Sequence, residues 1–231
     1  GVGSTSPEQL VEKVLEESAD LGIAFDGDGD RVIMVDHKGE VVDGDELIYI
    51  VARNRKLSGR LEGGVIGTLM TNYGAELAFE KLGIPFERAK VGDRYVMELL
   101  VKNNWQLGGE GSGHIICFDK TTTGDAIIAA LQVLIAMWNE DKTLYQLKST
   151  MTKLPQVLKN VRIKQKTDPM ANKVVCEAVE EQSKRLSGQG RVLLRASGTE
   201  PLIRVMAEGT DAVLVDSVVV ELVDVVSKQL A

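Results

Sequence analysis

The sequence has few cysteines, no excess of basic residues and no long apolar run. Cys117 and Cys176 are the only cysteines among 231 residues. They stand far apart without metal-type spacing, so we expect unpaired structural thiols in a reducing cytosol. A net charge of −7 and a pI near 5.0 argue against nucleic acid or an anionic membrane as the main partner. A small anionic substrate would then need local groups of cationic side chains.

The longest nearly apolar run is also too short to cross a bilayer. It extends from Ala126 to Trp138 and includes Gln132, which predicts a buried helix. No segment has the pattern of a signal peptide, and we expect a cytoplasmic location. The chain begins at Gly1 without a methionine and enters a predicted helix almost at once, which indicates a piece of a longer protein. That helix is predicted to start with Ser6 as its N-cap, Pro7 at its first helical position and Gln9 closing a capping box.

Strand and helix patterns alternate as far as residue 151, which predicts an α/β fold with mixed, mostly parallel sheets sandwiched by helices. After Pro155 the pattern changes to a strand at 157–163, a helix at 170–186, strands at 191–195 and 202–207, and a terminal helix. The terminal segment is rich in valine, but its polar residues recur every three or four positions, which indicates a helix. This part predicts a smaller α+β domain. The predicted domains are residues 1–58, 59–153 and 154–231, with the run KLSGRLEGG as a linker between the first two.

The run FDGDGDR places three carboxylates at alternate positions, Asp26, Asp28 and Asp30. The intervening glycines let the backbone wrap closely, and converging carboxylates repel each other unless a cation lies among them. Oxygen ligands of this kind suit Mg²⁺ or Ca²⁺, and Mg²⁺ is favoured where a phosphate completes its octahedron. Arg31 adds a permanently charged donor for phosphate oxygens.

Two other interpretations of this loop are possible. An acidic, glycine-rich turn can simply be solvated. An EF-hand loop also begins with alternating aspartates, but it needs glycine at its sixth position and glutamate at its twelfth, where this chain has Arg31 and His37. Apolar runs on both sides place the loop at the mouth of a sheet, which favours the metal site.

The run GGEGSGH carries Glu110, Ser112 and His114 among four glycines. A flexible hairpin explains such a run equally well. A carboxylate and a hydroxyl on a closely approaching backbone also suit the hydroxyl groups of a sugar. By itself, His114 is more typical of a buried packing histidine.

The run RASGTEPLIR combines small residues with two arginines. Backbone N–H groups and hydroxyls of Ser197, Gly198 and Thr199 can surround a phosphate, and Arg195 and Arg204 can supply charge. The simpler alternative is a β-turn with two salt-bridged arginines. That alternative leaves unexplained why so many anion donors gather in an acidic chain.

The run KVGDR contains Lys90, Asp93 and Arg94. It could hold a general acid or base and a phosphate ligand, or it could be a helix start with a surface ion pair. Taken alone, the pattern favours the helix start.

FDGDGDR, GEGSGH and RASGTEP, in this order, resemble the metal, sugar and phosphate loops of the α-D-phosphohexomutases. The longer runs AFDGDGDRVIMVD, ERAKVGDRYV, DKTTTGD and RVLLRASGTEPLIRVM extend the resemblance over essentially the whole chain and favour the branch that acts on amino sugars. The resemblance implies a four-domain enzyme that uses Mg²⁺ and a phosphoserine to interconvert glucosamine 6-phosphate and glucosamine 1-phosphate through a bisphosphate. The product would feed the synthesis of UDP-N-acetylglucosamine.

The resemblance also implies roles for individual residues. The three aspartates of the first loop would hold Mg²⁺, Arg31 would steady the transferring phosphate, and Glu110 and Ser112 would recognise sugar hydroxyls. Proton transfer would fall to Lys90 or His114. The phosphate that is not reacting would be held by Arg195, Ser197, Gly198, Thr199 and Arg204.

Two departures from the family pattern stand out. The position between Glu110 and Ser112, usually polar, is Gly111, and neither His37 nor His114 precedes Asn-Pro as in the family's phosphoserine loop. We therefore expect a C-terminal part of the enzyme that is inactive alone and binds an amino-sugar phosphate. The alternatives are a phosphomannomutase or phosphoglucomutase, or a non-catalytic module that binds sugar phosphate or a divalent cation.

Overall fold

The computed structural model describes residues 2–198 and 200–231, and the chain divides into two compact units between Lys153 and Leu154. None of the helices in these residues is both long enough and apolar enough to cross a membrane. The domain boundary expected inside the first unit, between residues 58 and 59, stays a prediction.

The first unit begins with one helix and a three-stranded antiparallel sheet in the order β1-β2-β3. The sheet is antiparallel because β1 and β2 pair directly across the Asp loop, with Phe25 opposite Val32, and such a loop is too short for a parallel crossover. These elements are α1 Glu8–Glu16, β1 Leu21–Phe25, β2 Val32–Asp36 and β3 Val41–Val42.

The predicted cap of α1 is wrong. The N-cap is Pro7 and no side chain caps the helix. The Ser6 N–H donates to the Gly3 carbonyl at 3.1 Å, so Ser6 belongs to the turn before the helix.

The larger part of the first unit is a four-stranded mixed sheet in the order β5-β4-β6-β7. β4 runs parallel to β5 and β6, whereas β7 is antiparallel to β6. The elements are α2 Gly44–Leu57, β4 Val65–Thr68, α3 Tyr73–Lys81, β5 Phe86–Ala89, α4 Asp93–Asn103, β6 Leu107–Gly109, β7 Ile115–Cys117, α5 Ala126–Glu140 and α6 Leu144–Lys148.

Both faces of this sheet are covered by helices. Because strand side chains alternate between faces, Val65 packs in the core that includes residues of α2, α3, α5 and α6, whereas the adjacent Ile66 packs with Val96 and Leu100 of α4. The predicted fold, with helices on both faces of a mixed sheet, is confirmed. Strands β4, β5 and β6 end at one edge, which is where the predicted loops at 90–94 and 108–114 lie.

The second unit is an antiparallel sheet in the order β8-β10-β9, with two helices packed against it. Ile203, Val205 and Ala207 of the central strand face the core with Val218 and Leu222 of the last helix. The smaller α+β unit and the valine-rich terminal helix are therefore confirmed. The elements are β8 Gln156–Arg162, a 3₁₀ turn Pro169–Ala171, α7 Lys173–Arg185, β9 Gly190–Ala196, β10 Leu202–Gly209 and α8 Ala212–Leu230.

The helix predicted over residues 170–186 is interrupted near its start. The Asn172 side chain accepts hydrogen bonds from the backbone of Val174 and Val175 at 3.0 and 3.2 Å. Asparagine favours this N-cap conformation over a helix interior, so α7 begins only at Lys173.

Both cysteines are free thiols. Cys117 is buried, and burial raises the pKa of its thiol to about 11. This environment fits a structural thiol rather than a nucleophile.

Candidate active site

The three aspartates of the predicted metal loop converge between β1 and β2. Each offers a carboxylate oxygen, and these oxygens lie within 4.8 Å of one another. The loop is folded around Asp26, whose Oδ1 accepts hydrogen bonds from the backbone N–H groups of Asp30 and Arg31, both at 3.1 Å. The sequence therefore forms the cluster locally, through backbone hydrogen bonds within one short loop.

Asp26 and Asp30, the first and last aspartates of the loop, have pKa shifts in opposite directions. Burial and the hydrogen-bonded neighbour Asp26 raise the pKa of Asp30, although His114 partly opposes this. For Asp26, burial opposes ionisation, but hydrogen bonds from the backbone of Arg31 and from the neighbouring aspartates hold its pKa below the ordinary value. A cation among the carboxylates would relieve this crowding of negative charge.

The residues present fit a hard divalent cation. Asp30 Oδ1 is buried and has no hydrogen-bond partner among the described residues, and Arg31 Nε lies 3.8 Å from it. A buried carboxylate oxygen without such a partner is costly, and a set of carboxylate oxygens is the donor type that Mg²⁺ prefers.

His114 connects the predicted sugar loop, residues 108–114, to the predicted metal loop. Its Nδ1 lies 3.0 Å from Asp30 Oδ2, and its backbone forms a β-bridge with Arg31. His114 is 5% exposed. Its ring packs so closely on Gly124 that a Cβ added to Gly124 would lie 2.3 Å from His114 Nε2. His114 is therefore a buried partner of a candidate metal ligand.

The start of α2 holds the predicted sugar loop in place. The Gly44 N–H donates to the Gly111 carbonyl at 3.1 Å, and a Cβ on Gly44 would lie 2.0 Å from the Glu110 carbonyl oxygen. On the other side, a Cβ on Gly111 would lie 3.2 Å from the Asp45 carboxylate. Gly44 and Gly111 thus permit a close backbone approach that larger residues would disturb.

Glu110 brings the sugar loop and the KVGDR loop together. Its Oε1 accepts a hydrogen bond from the Gly92 N–H at 2.9 Å. Gly92 has φ +127°, a conformation that L side chains rarely adopt. Ser112 is exposed beside Glu110, so its hydroxyl is accessible to a ligand.

The charged residues of KVGDR are exposed. Arg94 Nε lies 2.9 Å from Glu98 Oε1, one turn along the same helix, as the simple helix-start interpretation predicts. Lys90 Nζ lies 5.7 Å from the centre of the Tyr95 ring. The assignment of Lys90 to proton transfer stays a prediction.

The second unit places the two predicted arginines directly opposite each other. Arg195 on β9 pairs in register with Arg204 on β10, and Arg204 Nε is buried without a hydrogen-bond partner in residues 2–198 and 200–231. The backbone N–H of the buried Ser197 donates to the Leu202 carbonyl at 2.8 Å, which closes the turn. Thr199 lies outside the described residues.

Several residues that shape these loops were missed by sequence reasoning. Asp45 accepts a hydrogen bond from the Asn72 N–H at 2.9 Å and lies against Gly111, and Lys166 Nζ donates to the Gly198 carbonyl. The Asp43 and Glu46 pair of a capping box could have marked the start of α2. The contact between the start of α2 and residues 110–113 depends on packing between distant parts of the chain, and no local pattern shows such packing.

Fold and site together define a mixed α/β protein with a carboxylate cluster at the mouth of its first sheet and a pair of arginines in a separate α+β unit. The family described as phosphoglucomutase/phosphomannomutase matches residues 43–154 with its alpha/beta/alpha domain III and residues 158–225 with its C-terminal domain. The chain belongs to this family, the α-D-phosphohexomutases, as the resemblance of its motifs predicted.

Relatives with known names are similar over nearly the whole chain. The phosphoglucosamine mutase of Hahella chejuensis is 63% identical over 97% of this chain and 51% of its own length. That of Cellvibrio japonicus is 55% identical over 100% of this chain and 52% of its own length. The chain therefore spans about half the length of the curated relatives it matches.

Solved structures share the fold. An N-acetylphosphoglucosamine mutase of Aspergillus fumigatus, in complex with GlcNAc-6P and magnesium, has a TM-score of 0.76 at 21% identity, covering 88% of this chain and 51% of its own. A phosphoglucomutase/phosphomannomutase family protein of Burkholderia thailandensis has a TM-score of 0.76 at 19% identity, covering 98% and 51%. At these identities the structures support the fold alone.

Proposed function

We propose that this chain supplies the metal, sugar and phosphate loops of a phosphoglucosamine mutase, an intramolecular phosphotransferase that interconverts glucosamine 6-phosphate and glucosamine 1-phosphate through a phosphoserine and a bisphosphate. The observation that carries the proposal is the convergence of Asp26, Asp28 and Asp30, with one buried oxygen of Asp30 lacking a hydrogen-bond partner among the described residues. Relatives at 55 to 63% identity bear the name of this enzyme.

In this proposal the three aspartates hold Mg²⁺, which when bound neutralises charge on the oxygens of the transferring phosphoryl group. His114 fixes the orientation of Asp30 through its Nδ1. Arg31, whose side chain is 45% exposed, can turn its guanidinium toward a phosphate next to the loop. These residues place charge and donors around the reacting group without forming a bond to it.

The sugar loop would recognise hydroxyl groups. Glu110 is held by the Gly92 N–H through Oε1, which leaves Oε2 for a hydroxyl donor, and the Ser112 hydroxyl is exposed beside it. Of the two candidates for proton transfer, we favour Lys90, because His114 is buried and engaged with Asp30. Lys90 is exposed, and its Nζ lies 5.7 Å from the centre of the Tyr95 ring.

The second unit would hold the phosphate that is not reacting. Arg195 and Arg204 face each other across neighbouring strands, and the donors of a guanidinium group match the geometry of phosphate oxygens. We assign this role to Arg195 and Arg204, together with Ser197, Gly198 and Thr199 at the turn that joins their strands. The partner is a small amino-sugar phosphate in the cytoplasm, and the net charge of −7 supports a role without nucleic acid or membrane.

The proposed reaction needs a phosphoserine, and in the family this serine lies in a loop with a His-Asn-Pro sequence. In these 231 residues no histidine is followed by Asn-Pro. We therefore expect the 231-residue chain to form no glucosamine 1-phosphate in a mutase assay. In the full-length enzyme, Asp28→Asn should lower kcat/KM at least 100-fold, whereas Asp20→Asn, an exposed aspartate outside the loop, should leave it unchanged. Appreciable turnover by the 231-residue chain alone would contradict the expected inactivity of the chain, and an unchanged kcat/KM for Asp28→Asn would contradict the proposed metal site.

Phosphomannomutase or phosphoglucomutase activity is the second candidate, because the matching family is described by these two reactions. Comparing kcat/KM of the full-length enzyme for glucosamine, mannose and glucose phosphates separates the two. A higher value for either neutral sugar would replace the amino-sugar assignment and leave the metal and phosphate roles in place.

A further inference from the structure

A small polar cavity lies at the edge of the four-stranded sheet opposite the candidate active site. Parallel strands β4 and β6 begin at this edge, and β7, which starts next to His114, ends here. The cavity has a volume of about 160 Å³. It lies between the end of α2, the residues after β7 and the outer side of α5, and it is lined by Val51, Asn54, Arg55, Arg60, Asp119, Lys120, Gln132 and Ile135.

The lining carries three cationic side chains and a single carboxylate. Arg55 is buried and donates from Nη1 to Asp119 at 3.0 Å and from Nη2 to Gln132 at 3.0 Å. Lys120 Nζ lies 3.0 Å from the other oxygen of Asp119. The single carboxylate is therefore engaged by two cations. Burial opposes its ionisation, but the hydrogen bonds from Lys120 and Arg55 lower the pKa of Asp119.

The third cation has no carboxylate partner in the described ranges 2–198 and 200–231. Arg60 donates from Nε to Ser58 Oγ at 3.0 Å, and its Nη2 lies 3.5 Å from Asn54 Oδ1, and both of these acceptors are neutral. Because Arg55 and Lys120 share one carboxylate, the cavity keeps an excess of positive charge within a chain of net charge −7. The guanidinium groups also have donors in the planar arrangement that matches phosphate oxygens.

We infer that this cavity binds a small phosphate group, either inorganic phosphate or the phosphate end of a sugar ester. Its volume is below the range of about 300–1,000 Å³ typical of sites for larger ligands, so only a compact anion fits inside. An anion between Arg60 and Lys120 would balance the excess positive charge and accept hydrogen bonds from Asn54 and Gln132 amide groups. The site is separate from the arginine pair of the second unit and does not depend on the proposed function.

Two-dimensional amide NMR of the 231-residue protein, titrated with sodium phosphate at constant ionic strength, tests the inference. The protein should carry Arg204→Ala, so that the arginine pair of the second unit does not bind the added phosphate. We expect saturable shifts at Arg60, Asp119 and Lys120, with a dissociation constant in the millimolar range, on the order of 1 mM. Absence of saturable shifts at these residues overturns the inference.

The matched variant is Arg60→Ala combined with Lys120→Ala on the same background, since both side chains are exposed and their loss leaves Arg55 paired with Asp119. Affinity should fall at least tenfold while the far-UV circular dichroism stays the same. If the double variant shows the same saturable shifts and the same phosphate affinity as its parent, the inference is also overturned. A parallel titration with glucosamine 6-phosphate identifies the source: equal affinity means that the phosphate group suffices, and tighter binding of the ester means that the sugar contributes.

Discussion

His114 Nδ1 lies 3.0 Å from Asp30 Oδ2, although 84 residues separate them in the chain. The pair joins the loop between β1 and β2 to the loop between β6 and β7, and so connects two sheets of the first unit. The close packing of the imidazole on Gly124 fixes the ring from its other side. A substitution that displaces the His114 ring should therefore disturb Asp30, and with it the candidate metal site.

Gly124→Ala should destabilise the first unit. The new Cβ would lie 2.3 Å from His114 Nε2, so the buried ring must shift, which costs about 1–3 kcal/mol of unfolding free energy. The control is Gly27→Ala, because a Cβ there meets nothing within 4 Å. Urea unfolding followed by circular dichroism measures both. Equal unfolding free energies for the two variants would show that the packing around His114 is loose.

Asp28→Asn should weaken binding of Mg²⁺ at least tenfold, because it removes one of three carboxylates at a single cation site. The measurement is the rise in melting temperature of the 231-residue protein as Mg²⁺ is added, since a ligand that binds only the folded state stabilises it. Asp20→Asn is the control of equal charge. If the two variants respond equally to Mg²⁺, the loop is only a solvated turn.

The buried pair of Asp36 and Lys148 should be important for stability. Lys148 Nζ lies 2.8 Å from Asp36 Oδ2 and 2.7 Å from Glu40 Oε2, and Asp36 is 0% exposed. Lys148→Met would leave Asp36 as an uncompensated buried charge and should cost about 3–5 kcal/mol of unfolding free energy. The double variant Asp36→Asn, Lys148→Met should recover part of this loss. Equilibrium unfolding in urea measures these changes in unfolding free energy. If the changes of the two single variants simply add up to that of the double variant, the two residues are not coupled.

The same pair predicts a dependence of stability on pH. Burial disfavours the charged form of Asp36, but hydrogen bonds from Lys148 and from the backbone of Lys38 and Glu40 hold its pKa below the ordinary 3.8. The stabilisation is therefore complete above pH 3.8 and is lost as the pH falls through the lower folded pKa. Burial lowers the pKa of Lys148 less than its carboxylate partners raise it, so the net value is above 10.5. Its contribution is lost only as the pH rises beyond that value.

Urea unfolding of the wild type and Lys148→Met across this range measures the effect. The difference between them should be largest near neutrality and shrink as acid protonates Asp36, which without Lys148 takes up its proton at a higher pH than in the wild type. A difference that persists unchanged in strong acid would mean that the lysine acts through packing rather than charge.

Arg204→Gln should lower phosphate affinity without lowering stability. Arg204 faces Arg195 across the strands, and its buried Nε has no hydrogen-bond partner among the described residues, so glutamine removes a donor for phosphate without breaking a hydrogen bond of that nitrogen. Isothermal titration with phosphate and urea unfolding test the two parts. Arg185→Gln removes the same charge from an arginine that is paired with Glu221, so it should leave phosphate affinity unchanged. A clear loss of stability in Arg204→Gln alone would favour a structural role for the arginine.

The regular elements could be predicted from the sequence because each has a local cause. The apolar runs on both sides of the Asp loop predicted a sheet there, and β1 and β2 flank the loop, since apolar residues stop where the loop begins. The valine-rich terminal segment was expected to be a helix from its polar spacing, and Val215, Val218 and Leu222 are indeed the buried side of α8. The exceptions are helix ends. Ser6 is drawn into a turn with Gly3, and Asn172 caps a helix that was expected to pass through it.

The sequence by itself determined the carboxylate cluster, because Asp26, Asp28 and Asp30 are brought together by hydrogen bonds within a few residues of one loop. Only the tertiary structure decided what surrounds that cluster. The contact of His114 with Asp30, the support of the sugar loop by Gly44, and the cationic cavity around Arg55 each join segments far apart in the chain. Such contacts depend on how sheets and helices pack, and a local pattern of residues carries no record of which distant segment will face it.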